Sequence, residues 1–445
     1  MRNETELNQA SSGPEPSADP SADGHVEPIA TKPRHFACFD GLRAIAAVSI
    51  LLLHTANTSG FSSRSSFGIY TSRLEVGVSV FFLISGFLLY RPFAVSHLAG
   101  RDAPSTPRFW ERRLLRIVPA YWLALTVLTY GFHAITLGPG WQGVASHYLF
   151  LQIYFPNQIF LGIPQAWSLC TEMSFYLILP LYGALVVARR SSKTIQMRRE
   201  LIGLGILIAI SYGFRWWALN IPITKRVDGR VVGICYPHCL TAPFSTLYSS
   251  WLPSYLDLFA FGMLLAVVSA WLAEKRSDPM WLQSPWIPWV SWGGAAVAFF
   301  WVAHIGIPTS IIYVITPETN ILRQTLYGAV AFFLLVPAVF GPQDRSIIRR
   351  LLRSWPVASV GVISYGVYLW HLNLMDELLQ WTGWTQGAVP YWLLAVTTFA
   401  ITVAFSSASY FGLERPVLRF KNRISWWDRG SRAVRQPPKV GADHG

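Results

Sequence analysis

Two residues in the stretch Phe39 to His54, FDGLRAIAAVSILLLH, carry chemistry that an apolar segment does not ordinarily tolerate. Arg43 is a permanent cation suited to holding an anion, and His54 exchanges a proton near neutral pH. They lie eleven residues apart, and eleven steps of about 100° return almost to the starting azimuth, so on a helix both face one way. The rise per residue separates them by roughly 16 Å, about half the hydrocarbon core of a bilayer. Glu172 in QAWSLCTEMSFYLILP and His371 in SVGVISYGVYLWHLNLMDELL repeat the pattern of an ionisable residue inside an apolar run. Counted from the ends of their runs, His54, Glu172 and His371 are expected to share one layer, as general acid, base or orienting groups.

The chain that must position them has 445 residues, 52% hydrophobic and 13% charged, with mean hydropathy +0.35. So few charges cannot cover a soluble domain of this size, and the class is a polytopic, all-α membrane bundle. Runs long enough to span occur at about 36 to 56, 74 to 94, 119 to 137, 166 to 188, 200 to 219, 252 to 273, 286 to 304, 323 to 341, 357 to 378 and 389 to 413, predicting about ten helices. The stretch 143 to 161, broken by Pro156 and carrying His147, Gln152 and Asn157, reads as a re-entrant or surface segment. The net charge of +13 falls mainly between apolar runs. Arg91 to Arg116, Arg189 to Arg199, Lys275 with Arg276, Arg345 to Arg353 and Arg415 onwards all lie on one side if both termini are cytoplasmic. That distribution excludes a nucleic-acid binder, because no basic patch stands on a soluble fold. Residues 1–34 and 421–445 are expected as disordered cytoplasmic tails around a membrane domain at 35–420.

Four cysteines do not make a disulfide scaffold. Cys38 and Cys170 sit in or beside apolar runs. Cys235 and Cys239, in CYPHC, are either a disulfide or two unpaired thiols in an outer loop, and a metal site with His238 is the weaker alternative.

Other polar groups divide between packing and binding. Ser85 and Gly86, among aromatics and leucines, suit close helix contact. Arg113 and Arg116 in RFWERRLLRIVPAYW either anchor a basic amphipathic helix at the interface or hold phosphates. Ser168, Glu172 and Tyr176 (or Phe175) share a face, as do Ser364, Tyr368 and His371. Glu414, Arg415 and Arg419 close the last span, and with Arg43, Arg91, Arg113 and Arg116 they give a cationic inner mouth.

Taken together these segments resemble the membrane-bound acyltransferase-3 family, which O-acylates cell-surface glycans and some secondary metabolites. The likeness runs from about Phe36 to Phe420 and rests on six ordered motifs. They are Arg43 with His54, the ISGFLL after Leu83, RRLLRIVPAY, WSLCTE ending at Glu172, SYGVYLWH ending at His371, and ERP at Glu414. The resemblance implies a plasma-membrane enzyme with no permanent cofactor and no metal. Its co-substrate is acyl-CoA, most often acetyl-CoA, and its acceptor is a hydroxyl of a polysaccharide, glycolipid or macrolide sugar. It also implies His54, Glu172 and His371 as catalytic residues and Arg43, Arg113, Arg116 and Arg91 as donor-binding. Asp40, Ser85, Ser168, Ser364, Tyr365, Tyr368, Glu414 and Arg415 would support them. Many members carry a second acidic residue after the motif glutamate, where this chain has Met173. Some carry a fused extracytoplasmic hydrolase-like domain, for which this chain has no room, so it acts on the acceptor directly or through a separate extracytoplasmic transferase. The competing reading of the same ionisable residues is a proton-coupled transporter or lipid flippase.

Overall fold

The computed structural model describes residues 36–188, 191–221, 224–227, 230–233, 244–275, 279–309, 316–342 and 345–421. Within them the chain is helical apart from a two-stranded antiparallel hairpin, β1 (Thr224–Val227) and β2 (Arg230–Gly233), with Thr224 opposite Gly233. The tails expected at 1–34 and 421–445 lie, apart from Lys421, outside the described residues, as do Cys235, His238 and Cys239.

Each of the ten apolar runs lies largely on helix, the run 357 to 378 being divided between two helices and the run 119 to 137 ending beyond its helix. The long ones are α1 (Cys38–Thr58), α2 (Val76–Leu98), α3 (Thr106–Thr126), α4 (Trp167–Val186), α5 (Lys193–Leu219), α6 (Leu256–Lys275), α7 (Ile287–His304) and α8 (Pro317–Val339). The last three are α9 (Trp355–Val362), α10 (Ser364–Thr382) and α11 (Tyr391–Ser409). Among the described residues eight candidate spans qualify by length and hydropathy, or nine if α9 and α10 count as one bent span. The difference from ten is α7, whose 18 residues only just reach the length of a span and which is not among those that qualify. The stretch 143 to 161 is a nine-residue helix, Gly140–Tyr148, followed by a short 3-10 turn, Gln152–Tyr154, with His147 and Gln152 buried.

Lipid supplies no hydrophobic drive between helices, so close contact depends on small residues and ring packing. At the α2–α6 crossing a methyl group on Gly86 would stand 2.2 Å from the Phe259 carbonyl oxygen, and one on Gly262 would stand 2.1 Å from that of Leu83. The backbones therefore touch, and Phe259 fills the seam against Phe82 and Phe175 at ring distances of 4.7 and 4.0 Å. Small residues at 85 and 86 thus serve packing through Gly86, whereas Ser85 turns to a polar partner described below.

Two irregularities place site residues. The chain bends by 72° between α9 and α10, so α10 starts with the buried Ser364 inside the bundle instead of at its edge. A π-helical turn, Tyr410–Glu414, ends α11 and directs Glu414 inward.

Candidate active site

A cavity of about 100 Å³ opens between α1, α2, α3, α4 and α10. Arg43, Arg113 and Arg116 line it, against walls of Val78, Phe81, Phe82, Leu88, Leu89 and Ile117. Its other polar lining is Ser85, Ser168, Glu172, Tyr176, Ser364, Tyr365 and Tyr368. Arg43 is fixed by Asp40 one turn earlier, at 2.7 Å, and the three guanidinium groups act electrostatically on one another. One carboxylate partly offsets them. Glu172 accepts hydrogen bonds from Ser85 and, at 2.6 Å, from Tyr176, and it lies within electrostatic reach of Arg113. Tyr176 is therefore the third residue of that helix face, since Phe175 stacks on Phe259 instead.

A second centre adjoins the cavity. The rings of His54 and His371 lie 5.3 Å apart between centroids. His371 is 1% exposed, and its Nδ1 stands 3.1 Å from the Val367 carbonyl and 2.9 Å from that of Tyr368. Carbonyl oxygens only accept, so Nδ1 carries the proton and Nε2 keeps a lone pair, which has no partner among the described residues. Tyr368 joins the two centres. It lines the cavity, its ring lies 6.0 Å from that of His371, and its hydroxyl meets Ser168 at 2.6 Å while donating to the Gln165 carbonyl at 2.7 Å. Gln165 in turn donates to the Tyr368 and Leu369 carbonyls at 3.2 and 2.9 Å, pinning this turn of α10.

The single layer expected from residue counting is corrected here. His54 and His371 meet, but Glu172 lines the arginine cavity, and among the described residues no hydrogen bond ties it to either imidazole. The reason is local: Tyr368 points back toward the start of its helix, as helical side chains do, and it reaches Ser168, a full turn before Glu172. The neutral His371 ring has committed its only N–H to its own helix and has no donor left for an oxyanion.

Several predicted residues sit elsewhere. Arg91 does not line the cavity; its Nε is 3.3 Å from Ser269 and its guanidinium covers the Phe36 ring at 5.1 Å. Tyr365 lines the cavity and donates to the Ile117 carbonyl at 3.0 Å. Glu414 is buried, 3.4 Å from Ser409 and within electrostatic reach of Arg116, while Arg415 is exposed over the Phe411 ring. Cys38 and Cys170 are both buried.

Sequence reasoning missed Glu75. It accepts from Arg323 at 3.1 Å and from Tyr327 at 2.9 Å, and it acts electrostatically on His54. The available signal was a pair of opposite charges at the starts of two apolar runs. It also missed two buried pairs away from the cavity, His97 with Glu200 at 2.7 Å and Arg215 with Asp257 at 3.0 Å.

An arginine-lined cavity beside paired imidazoles suits an anionic donor and a proton transfer. A family model described as an acyltransferase domain, acyltransferase-3, matches residues 36–411. The chain belongs to that family. Among curated acyltransferase relatives, O-acetyltransferase OatA of Staphylococcus aureus is 21% identical over 404 residues, covering 86% of this chain and 57% of the relative. Acyltransferase MdmB of Streptomyces mycarofaciens is 25% identical over 405 residues, covering 86% of this chain and 92% of the relative. The chain thus spans little more than half the length of the staphylococcal relatives. No solved structure matches it at a significant level. As a member of this acyltransferase family with eight or nine candidate spans among the described residues, the protein is a multi-pass membrane protein. Among the described residues no group of three or more His, Cys, Asp or Glu could hold a metal ion.

Proposed function

We propose that the protein is a membrane O-acyltransferase that takes an acyl group, most simply acetyl, from acyl-CoA on the cytoplasmic side and delivers it to a hydroxyl of an acceptor reaching the outer half of the bundle. The observation that carries this reading is the continuity from Arg43, Arg113 and Arg116, through Tyr368, to the His54–His371 pair. Three guanidinium groups on one cavity suit the phosphates of CoA, each able to form charge-assisted bonds. The apolar walls at Val78, Phe81, Phe82 and Leu88 suit the uncharged arm between those phosphates and the thioester. Basic loops on the arginine side support its cytoplasmic placement and a plasma-membrane location.

At the reacting end the acceptor O–H breaks as its proton passes to an imidazole nitrogen. The alcohol oxygen bonds the thioester carbon, the C–S bond breaks, and the thiolate receives a proton as CoA leaves. His54 is assigned as the base that touches the acceptor. His371, with its lone pair on Nε2, accepts a proton from the His54 side or from the acceptor. Glu172, bound by Ser85 and Tyr176, orients Arg113 and shapes the donor site. The names of the relatives favour acetyl as the acyl group, and a polysaccharide, glycolipid or macrolide sugar as acceptor remains part of the proposal.

Incubating the purified protein, in liposomes containing host membrane extract, with radiolabelled acetyl-CoA tests the reading. Stoichiometric CoA release with label appearing in an acceptor is the expected result. Absence of CoA release, together with movement of an unmodified solute or lipid, would favour transport instead.

A further inference from the structure

Helix α11 carries three hydroxyls that the transfer just described does not use. Thr398, Thr402 and Ser406 are each 0% exposed, and none of their hydroxyls has a partner among the described residues. Hydroxyls inside helices ordinarily bond the carbonyl four residues back. Thr55, Thr325, Thr382 and the adjacent Thr397 do so at 3.0, 2.8, 2.7 and 2.6 Å. The three buried ones forgo that bond, and a buried hydroxyl left unpaired costs about 1–3 kcal/mol. They also share one face, at four-residue steps.

The facing helix has the same feature. A methyl group on Gly366 of α10 would stand 2.9 Å from Ser406 Cβ and 3.1 Å from its Cα and Oγ, so the two helices are in close contact there and the hydroxyl lies at the seam. Trp370, one turn on, packs on Phe405 at a ring distance of 5.7 Å. Trp370 Nε1 and Asn373 Oδ1 are buried and likewise without partners among the described residues. Counting antiparallel from the Gly366–Ser406 contact puts Trp370 at the height of Thr402 and His371 one residue further along α10. Beyond Ser406 the series continues to Ser409, whose hydroxyl is 3.4 Å from Glu414, near Arg116. Successive hydroxyls at i, i+4 are about 6 Å apart. Two hydrogen bonds of about 2.8 Å through one water span that gap. A polar site with several convergent donors and acceptors is where buried water is held.

We propose that α10 and α11 hold a single file of bound water along Thr398, Thr402 and Ser406, and that its stretch from Thr402 through Ser406 to Ser409 conducts the proton of the transfer between His371 and Glu414. The proposal rests on the imidazole pair being the proton acceptor. The acceptor O–H proton goes to imidazole, and each hop along the file breaks one O–H bond and forms the next. CoA leaves the histidine pair as its thiolate through the arginine mouth, where Glu414 passes on the proton that makes it a thiol, so no proton is gained or lost overall.

The test compares the full-length protein with the double variant Thr402→Val, Ser406→Ala, which keeps the packing and removes two hydroxyls. Thr397→Val, whose hydroxyl is already bonded, is the control. CoA release from acetyl-CoA should fall at least tenfold in the double variant, with KM for acetyl-CoA unchanged and a larger solvent deuterium isotope effect. The control should match the wild type. Independently, X-ray hydroxyl-radical labelling in heavy-oxygen water should mark Trp370 and Phe405 in the wild type and not in the double variant. Unchanged turnover, or unmarked Trp370 and Phe405 in the wild type, overturns the proposal. If the wild type releases no CoA, the acyltransferase reading fails on its own, while the labelling still decides whether the water is there.

Discussion

Glu172 and His371 are both ionisable groups inside apolar runs, but the structure treats them in opposite ways. The Glu172 carboxylate receives Ser85 and Tyr176 in a wall shared with three arginines, so its charge is compensated from several directions. His371 gives its Nδ1 proton to carbonyls of its own helix and leaves the Nε2 lone pair without a partner beside His54. Compensated charge holds a ligand in a fixed position, whereas an unshared basic nitrogen is able to take a proton. The difference predicts that substitutions around Glu172 act on donor affinity and that substitutions at the histidine pair act on turnover.

The largest expected effect breaks the reactive side. His54→Ala should lower turnover by about 10²–10⁴-fold, the usual worth of general base catalysis, with acetyl-CoA binding intact. Equilibrium binding alongside CoA-release kinetics checks both halves; activity within a few-fold of wild type would remove His54 from the chemistry. Next in size is the binding side. Arg113→Ala combined with Arg116→Ala removes two charge-assisted contacts worth about 1.5–3 kcal/mol each, so KM for acetyl-CoA should rise by at least about tenfold while turnover at saturation changes little. An unchanged KM would mean that the two arginines only anchor α3.

Glu172→Gln sharpens the boundary between the two centres. The amide oxygen can still accept from Ser85 and Tyr176, but the compensating negative charge beside Arg113 is gone. A several-fold change in KM is expected, corresponding to about 1 kcal/mol, with the pH dependence of turnover unmoved. A shifted pH profile would instead couple Glu172 to the imidazoles and restore the single layer that residue counting suggested.

That misplacement shows where the sequence was legible. A span needs about 20 apolar residues, so the helices could be read directly, and Arg43 with His54 could be placed on one face from spacing alone. Depth was harder to read. Counting from span ends assumes straight helices that start in one plane, whereas α10 starts after a 72° bend inside the bundle. Glu75 and Arg323 were passed over because a charge at the edge of an apolar run ordinarily faces water, and their pairing links positions 248 residues apart. Nor does sequence separate Thr402 from Thr397: only packing shows which hydroxyl has bonded its own helix and which has not.

The smallest effect tests which cations belong to the cavity. Arg91 was grouped with the donor-binding arginines because it leaves its span on the same basic side. In the structure its guanidinium lies over Phe36 and its Nε faces Ser269, away from the cavity lining. A cation over an aromatic ring contributes about 0.5–1 kcal/mol at an accessible site, so Arg91→Gln should cost a little stability, seen as a modestly lower melting temperature in detergent. KM for acetyl-CoA and turnover should both stay within about twofold of wild type, less than the 1.4 kcal/mol of a tenfold change. A KM increase comparable to that of the Arg113 and Arg116 pair would place Arg91 on the donor's path after all. The cationic mouth would then be wider than the cavity among α1, α2, α3, α4 and α10 that the present geometry defines.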